Sequence, residues 1–332
     1  MEQKVLRVST LVVVGALFLR LLSGFLPASF FSAALSSHAT SWMIFLQTGR
    51  LVRPADIAFS PRPTEPIAPT EETMPSPTEP TPALPVFSAD DADNLTINCS
   101  FSYSADLSAL LTQPLTWDLT GNEPTVLILH SHGTESYTPT GEYQEVSSYH
   151  TLDNDHNMLS IGTYIAGILE ENGINVLHDT AIHDNPSYNA SYANSRKSVE
   201  AYLAQYPSIR LVLDLHRDSI EDENGNQVVQ SVFAQGTTLA PLMLVVGTDY
   251  GGLEHPDWQE NFALALKLQT QLEDICPGIC RNINLRSQRF NQDLSSGALL
   301  IEIGASGNTR QEALRSAKVL AEGIISLARG SA

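Results

Sequence analysis

Ile209-Arg210-Leu211-Val212-Leu213-Asp214-Leu215-His216-Arg217-Asp218 decides the fold. Pro207 precedes the stretch, and charge follows it at once. A short apolar run bounded in this way describes a strand buried on both faces. Upstream, Val126-Leu127-Ile128-Leu129-His130 is a second such strand, and Ile174-Asn175-Val176-Leu177 a third. Between them, 157–171 is a helix with Met158, Ile161, Ile165, Ile168 and Leu169 on nearly one face, closed by Glu171-Asn172-Gly173. Tyr188–Gln205 is a second helix. Downstream, Val228–Phe233 is expected to pair beside the 209–215 strand after the Glu223-Asn224-Gly225-Asn226 turn. Leu242–Val246 and Ala298–Ile303 are further strands, and Trp258–Ile275 and Thr309–Ala328 further helices. Residues 87–120 are weakly patterned and are expected to wrap this unit. Apolar strands alternating with helices predict an α/β fold, a mostly parallel sheet with helices on both faces.

Folds of this class hold ligands at the carboxyl ends of their strands. The first strand runs out into His130-Ser131-His132-Gly133-Thr134-Glu135-Ser136, and the 209–215 strand into His216-Arg217-Asp218. Glu302 stands between Ile301 and Ile303, where an unpaired carboxylate is costly to bury. The chain has nine histidines, eight of them between 130 and 255. His132 and His216, each at a strand end, are candidate ligands of one zinc ion, which accepts imidazole nitrogen and carboxylate oxygen and typically takes three protein ligands in catalytic sites. The candidates for the third ligand are Glu135, Glu142, Glu145, His150, Asp153, Asp155 and His156, with Glu145 and His156 favoured. Glu302 suits the proton shuttle of a zinc hydrolase, and Arg217 either polarises the scissile carbonyl or pairs with a carboxylate. His178-Asp179 and His183-Asp184 are two possible Asp-oriented imidazoles.

The formal charge of the 332-residue chain is -19, with Lys plus Arg 18 against Asp plus Glu 37. That balance, with no basic stripe, argues against nucleic acid as a partner. Three cysteines suit neither a disulfide scaffold nor a four-cysteine zinc site. Residues 1–50 comprise a cytoplasmic tip, an apolar span over Ser9–Phe31 interrupted by Arg20, and a juxtamembrane segment. The span is long enough for a single-pass anchor, and the short basic start keeps the N-terminus inside. Residues 51–87 form a linker, with nine prolines between Pro61 and Pro85, extended because proline removes backbone donors. Residues 88–332 are then an extracytoplasmic catalytic domain on the outer side of the cell membrane.

The runs His130–Tyr137, His178-Asp179 with His183-Asp184, Tyr188-Asn189 before Ser191-Tyr192, Asp214–Asp218, Asn291–Ser295 and Leu299–Glu302 resemble, in order, those of stage II sporulation protein P. The resemblance covers about 120–328. It implies an amidase-like fold in the zinc-dependent N-acetylmuramoyl-L-alanine amidase superfamily. It also implies a membrane-anchored peptidoglycan hydrolase with amidase and endopeptidase activities during forespore engulfment, working with stage II sporulation proteins D and M. By position, His132 and His216 resemble the zinc histidines and Glu302 the catalytic glutamate. The superfamily's middle ligand is a glutamate just before the first long helix. Here His150–Asn157 contains none, and Glu145, a little upstream, is the nearest. A dedicated crosslink endopeptidase and a non-catalytic wall-binding scaffold are the alternatives.

Overall fold

The computed structural model describes residues 87–115, 118–141, 149–234 and 236–329. A seven-stranded sheet is built from β1 (Ile97–Cys99), β2 (Val126–Leu129), β3 (Val176–His178), β4 (Leu211–Asp218), β7 (Leu242–Gly247), β8 (Ile283–Arg286) and β9 (Ala298–Ala305). A separate two-stranded hairpin joins β5 (Val232–Ala234) and β6 (Thr237–Leu239). The helices are α1 (Leu107–Thr112), α2 (Met158–Glu171), α3 (Ser191–Gln205), α4 (Trp258–Ile275) and α5 (Arg310–Arg329).

Strand order in the large sheet is β1-β8-β7-β9-β4-β2-β3. Every neighbouring pair is parallel except β7 and β9. The sheet is therefore two parallel blocks running in opposite directions, joined along one antiparallel seam. This refines the mostly parallel expectation. An apolar run such as Leu242–Val246 signals burial on both faces and carries no information about strand direction.

Period-two alternation sorts each central strand between two faces. Leu211, Leu213 and Leu215 of β4, Leu299, Ile301 and Ile303 of β9, and Leu242, Leu244 and Val246 of β7 belong to the main core with residues of α2, α4 and α5. The intervening residues face the other way. There α3 covers the β3, β2 and β4 part and the start of β9, with Val199, Tyr202 and Leu203 in one cluster with Leu177, Leu127, Leu129, Val212 and Ala298. The rest of that face, over β9, β7 and β8, is the floor of an open groove of about 810 Å³.

The helix ends follow local chemistry. The Asn157 side chain accepts from the Leu159 N–H at 3.0 Å and starts α2. At α5, Thr309 Oγ1 accepts from the Glu312 N–H, and the Glu312 carboxylate accepts from the Thr309 N–H, a reciprocal capping box. The 87–115 segment does pack on the domain: β1 extends the sheet beside β8. Buried Lys267 of α4 donates to Leu110 O at 2.6 Å near the end of α1 and lies 5.9 Å from the Phe87 ring centroid. Cys99, Cys276 and Cys280 are free thiols.

Two expectations change. Val228–Phe233 does not pair beside β4, because β2 and β9 already occupy both edges of that strand; only Val232–Ala234 is extended, paired antiparallel with β6. The Ser9–Phe31 anchor and the linker lie outside the described residues, and among the described residues no helix is long and apolar enough to cross a membrane. The 20-residue α5 has the length, but it carries six charged residues opposite its buried stripe. Within the described residues the fold assignment is therefore corrected to one without a transmembrane helix, and no element there carries the expected single-pass localisation in the cell membrane.

Candidate metal centre

Beyond β2 the chain turns tightly, with the Glu135 N–H donating to His132 O at 3.2 Å. This turn brings two side chains three residues apart to the same place. His216, on the groove face of β4, completes the group. Ligand atoms from His132, Glu135 and His216 lie within 4.8 Å of one another, and all three residues are buried. Both rings aim Nδ1 at the Glu135 carboxylate, each at 3.5 Å. Their far nitrogens lie beside polar groups: His132 Nε2 is 2.9 Å from Ser191 Oγ, and His216 Nε2 is 2.9 Å from Asp214 Oδ1, an ion-pair contact without hydrogen-bond alignment. Such outer contacts fix ring orientation and tautomer in metal-binding histidines. Asp214 in turn accepts from the Ser131 N–H at 2.7 Å and from the Ser131 hydroxyl.

The electrostatics are those of a cation site. Burial works against charge on Glu135, but hydrogen bonds from His132 and His216 and the charges of His216 and Arg217 hold it well below the usual carboxylate range. Burial likewise opposes charge on His216, yet the Asp214 charge, with the N–H contacts the ring makes to Asp214 and Glu135, raises it well above the ordinary imidazole value. A proton on His216 thus stands where a divalent ion would supply positive charge. The donor set of two imidazoles and one carboxylate fits zinc.

Glu302 sits beside His216 in register on β9. Its Oε2 is buried with no hydrogen-bond partner among the described residues. Burial pushes its carboxyl up to about 8, with Glu135 and Asp218 adding to the rise and His216 and Arg217 opposing it. A buried carboxyl of this kind is suited to accept and return a proton near neutral pH. Tyr188 forms one wall, its ring centroid 4.1 Å from that of His132, and Tyr192 approaches His132 at 5.4 Å.

The structure places His132 and His216 in one cluster and Glu302 in register with His216 on the neighbouring strand. Arg217 is adjacent but only 4 % exposed. It donates through Nε to Ser136 O at 3.0 Å and through Nη2 to Tyr149 O at 2.7 Å, while its backbone N–H donates to Glu135 Oε2 at 3.1 Å. Glu145 lies outside the described residues. His156 is not in the cluster; it pairs with Asp153 at 3.0 Å. The third member of the cluster is Glu135, and its signal was the His-x-x-Glu spacing across a glycine-containing turn. Asp214 was legible as well, two residues before His216 and so on the same strand face.

The two His-Asp pairs serve the surroundings. His183 Nε2 lies 3.0 Å from Asp179 Oδ2. Asp184 accepts from the Thr134 hydroxyl at 2.5 Å, bracing the His132–Glu135 turn from outside. His178 turns instead to His130, Nε2 to Nε2 at 2.9 Å, against α2. A Cβ on Gly162 would come within 2.5 Å of His130 Nε2 and 2.6 Å of His178 Nε2, so only glycine fits that helix position.

The chain is 28% identical over 216 residues to stage II sporulation protein P of Bacillus subtilis (strain 168), a match covering 61% of this chain and 51% of that protein. It thus spans about half the length of that curated relative. Among solved structures it is similar to N-acetylmuramoyl-L-alanine amidase AmiC2 of Nostoc punctiforme, at 17% identity and a TM-score of 0.39, covering 62% of this chain and 97% of that one. It is also similar to the amidase Ami1 from Mycobacterium smegmatis, at 11% identity and a TM-score of 0.41, covering 64% and 100%. The expected membrane anchoring and partnership with stage II sporulation proteins D and M are corrected here: no spanning helix occurs among the described residues, and nothing in the matched relatives specifies either partner. The profile of stage II sporulation protein P (SpoIIP) matches residues 68–325, and the chain belongs to that family.

Proposed function

We propose that this protein is a zinc-dependent peptidoglycan hydrolase that cleaves the amide between N-acetylmuramic acid and L-alanine. The observation that supports this most is the His132, Glu135 and His216 cluster, with the unpartnered Glu302 carboxylate beside it on the floor of one groove. Zinc, when bound, supplies Lewis acidity and lowers the pKa of water toward ~7.

The chain's own groups do the rest. His132, Glu135 and His216 hold the ion, and Ser191 and Asp214 keep the two rings aimed at it. Glu302 removes a proton from the attacking water and delivers it to the nitrogen of the leaving L-alanine. Because its oxygen is dry and unpartnered, no protein hydrogen bond has to break first. Arg217 acts by holding Glu135 and the backbone at Ser136 and Tyr149 in place, since its donors already have partners in the chain.

Digestion of purified peptidoglycan by the zinc-loaded protein tests the reading. Mass analysis should show free stem peptides and intact N-acetylmuramic acid. Split crosslinks with no freed stems would replace the amidase by a crosslink endopeptidase. Undigested wall together with no metal binding would leave a scaffold.

A further inference from the structure

Beyond the metal centre, the groove crosses the seam of the sheet and continues over β7 and β8, where Met243, Val245, Asn284 and Arg286 line it. The chain as a whole is strongly acidic, at -19, yet this groove contains three guanidinium groups. Two already have partners: Arg217 is engaged by Glu135 and backbone carbonyls, and Arg281 Nη1 lies 2.6 Å from Asp218 Oδ2. Among the described residues Arg286 makes no ion pair and no side-chain hydrogen bond, and it is exposed at the far end of the groove. Of the groove's acidic groups, Glu302 and Glu135 belong to the metal centre, Asp218 is paired with Arg281, and Glu221 accepts from Gln227 at 2.9 Å. Among the described residues none of these pairs with Arg286.

Register gives the spacing. Glu302 is level with Met243 on β7, and Val245 with Asn284 and Gly247 with Arg286 on β8. Arg286 is therefore two strand spacings across, about 10 Å, and four residues along, about 13 Å, so roughly 16 Å from Glu302. An extended peptide rises ~3.4 Å per residue, and four residues span about 14 Å. We infer that Arg286, with Asn284 beside it, is the docking point for the C-terminal carboxylate of the stem peptide. The stem then lies diagonally from the metal centre over β7 to β8, and the sugar lies on the Tyr188 side. Arginine suits the task because its planar fork meets a carboxylate with two parallel hydrogen bonds. This inference rests on the proposed substrate and adds its direction in the groove.

The test measures binding as well as turnover. The full-length zinc-loaded Glu302→Ala protein is titrated with N-acetylmuramoyl-tetrapeptide ending in a carboxylate, and with the same compound ending in a carboxamide. The carboxylate form should bind about tenfold or more tightly, as expected for loss of one charge-assisted contact. Arg286→Gln in that background should remove the difference, leaving carboxamide binding as it was, and Arg286→Lys should restore part of it. Equal binding of the two ligands, or a preference that survives Arg286→Gln, overturns the inference. Hydrolysis is scored separately with Glu302 intact. A carboxylate preference dependent on Arg286 but without any turnover would sink the hydrolase reading and leave the docking site standing.

Discussion

The two faces of the central strands differ more than any two elements of the domain. On one face of β4 and β9, Leu213, Leu215, Ile301 and Ile303 are sealed under helices. On the other, the same strands present His216 and Glu302 to the groove, with buried Asp214 beside His216. Neighbouring residues a single peptide apart therefore have opposite duties, one to hold the sheet and one to serve the site. The inward face accounts for the free energy of folding through buried apolar area. The groove face works against it, with carboxylates and imidazoles kept dry.

Substitutions one residue apart should break this comparison most clearly. His216→Ala should remove bound zinc and abolish hydrolysis while the fold survives; metal analysis and circular dichroism on one sample check both, and full metal occupancy would take His216 out of the ligand set. Its neighbour Leu215→Ala should do the converse, costing about 2–5 kcal/mol in denaturant unfolding through a core cavity. Zinc binding at saturation should be retained.

Glu302→Gln sharpens the contrast. It should keep zinc and lose turnover by about a hundredfold or more, the usual scale of general acid–base catalysis. In metal-free protein it should also change the response to pH. The Glu302 carboxyl is raised to about 8 from 4.5, so the folded state holds a proton that the unfolded chain has released. Stability contributed by this group is complete below about 4.5 and is lost as pH rises through about 8. The substitution should flatten that decline, and unfolding curves at pH 5 and pH 8.5 would show whether it does.

Zinc uptake should displace the proton that Asp214 and Glu135 favour on His216. Calorimetry in buffers of different ionisation enthalpy should register that release, and affinity should weaken as pH falls. The smallest effect belongs to the covered side. Lys267 is lowered to about 8 from 10.5 by burial, so stability should rise with pH between those values, where the unfolded chain still holds a proton that the folded one has lost. Lys267→Met should remove that rise.

Much of this arrangement was legible before any coordinates. The buried runs at Val126, Leu211, Leu242 and Ala298 mark strands because sheets covered by helices leave few polar positions. His132, His216 and Glu302 stand out because charge at the end of such a run, or inside it, needs a reason. Strand direction was not legible, since the β7 run has the same composition whichever way it points. β8 escaped notice because Asn284 and Arg286 face the groove and interrupt the apolar pattern of Ile283 and Leu285. Glu135 was one carboxylate among several in a polar stretch, and only the turn distinguishes it. The 9–31 run, whose hydropathy proposes a membrane span, lies outside the described residues, among which no helix is long and apolar enough to cross a membrane.

The antiparallel seam between β7 and β9 has a consequence for how such a site can diversify. Because the strands on either side end at opposite rims, the loop after β2 and the loop after β8 are anchored on different borders of the domain. Insertions after β8 would move the far guanidinium without touching the ion-holding turn. The sheet thus acts as a caliper with one fixed jaw and one adjustable jaw.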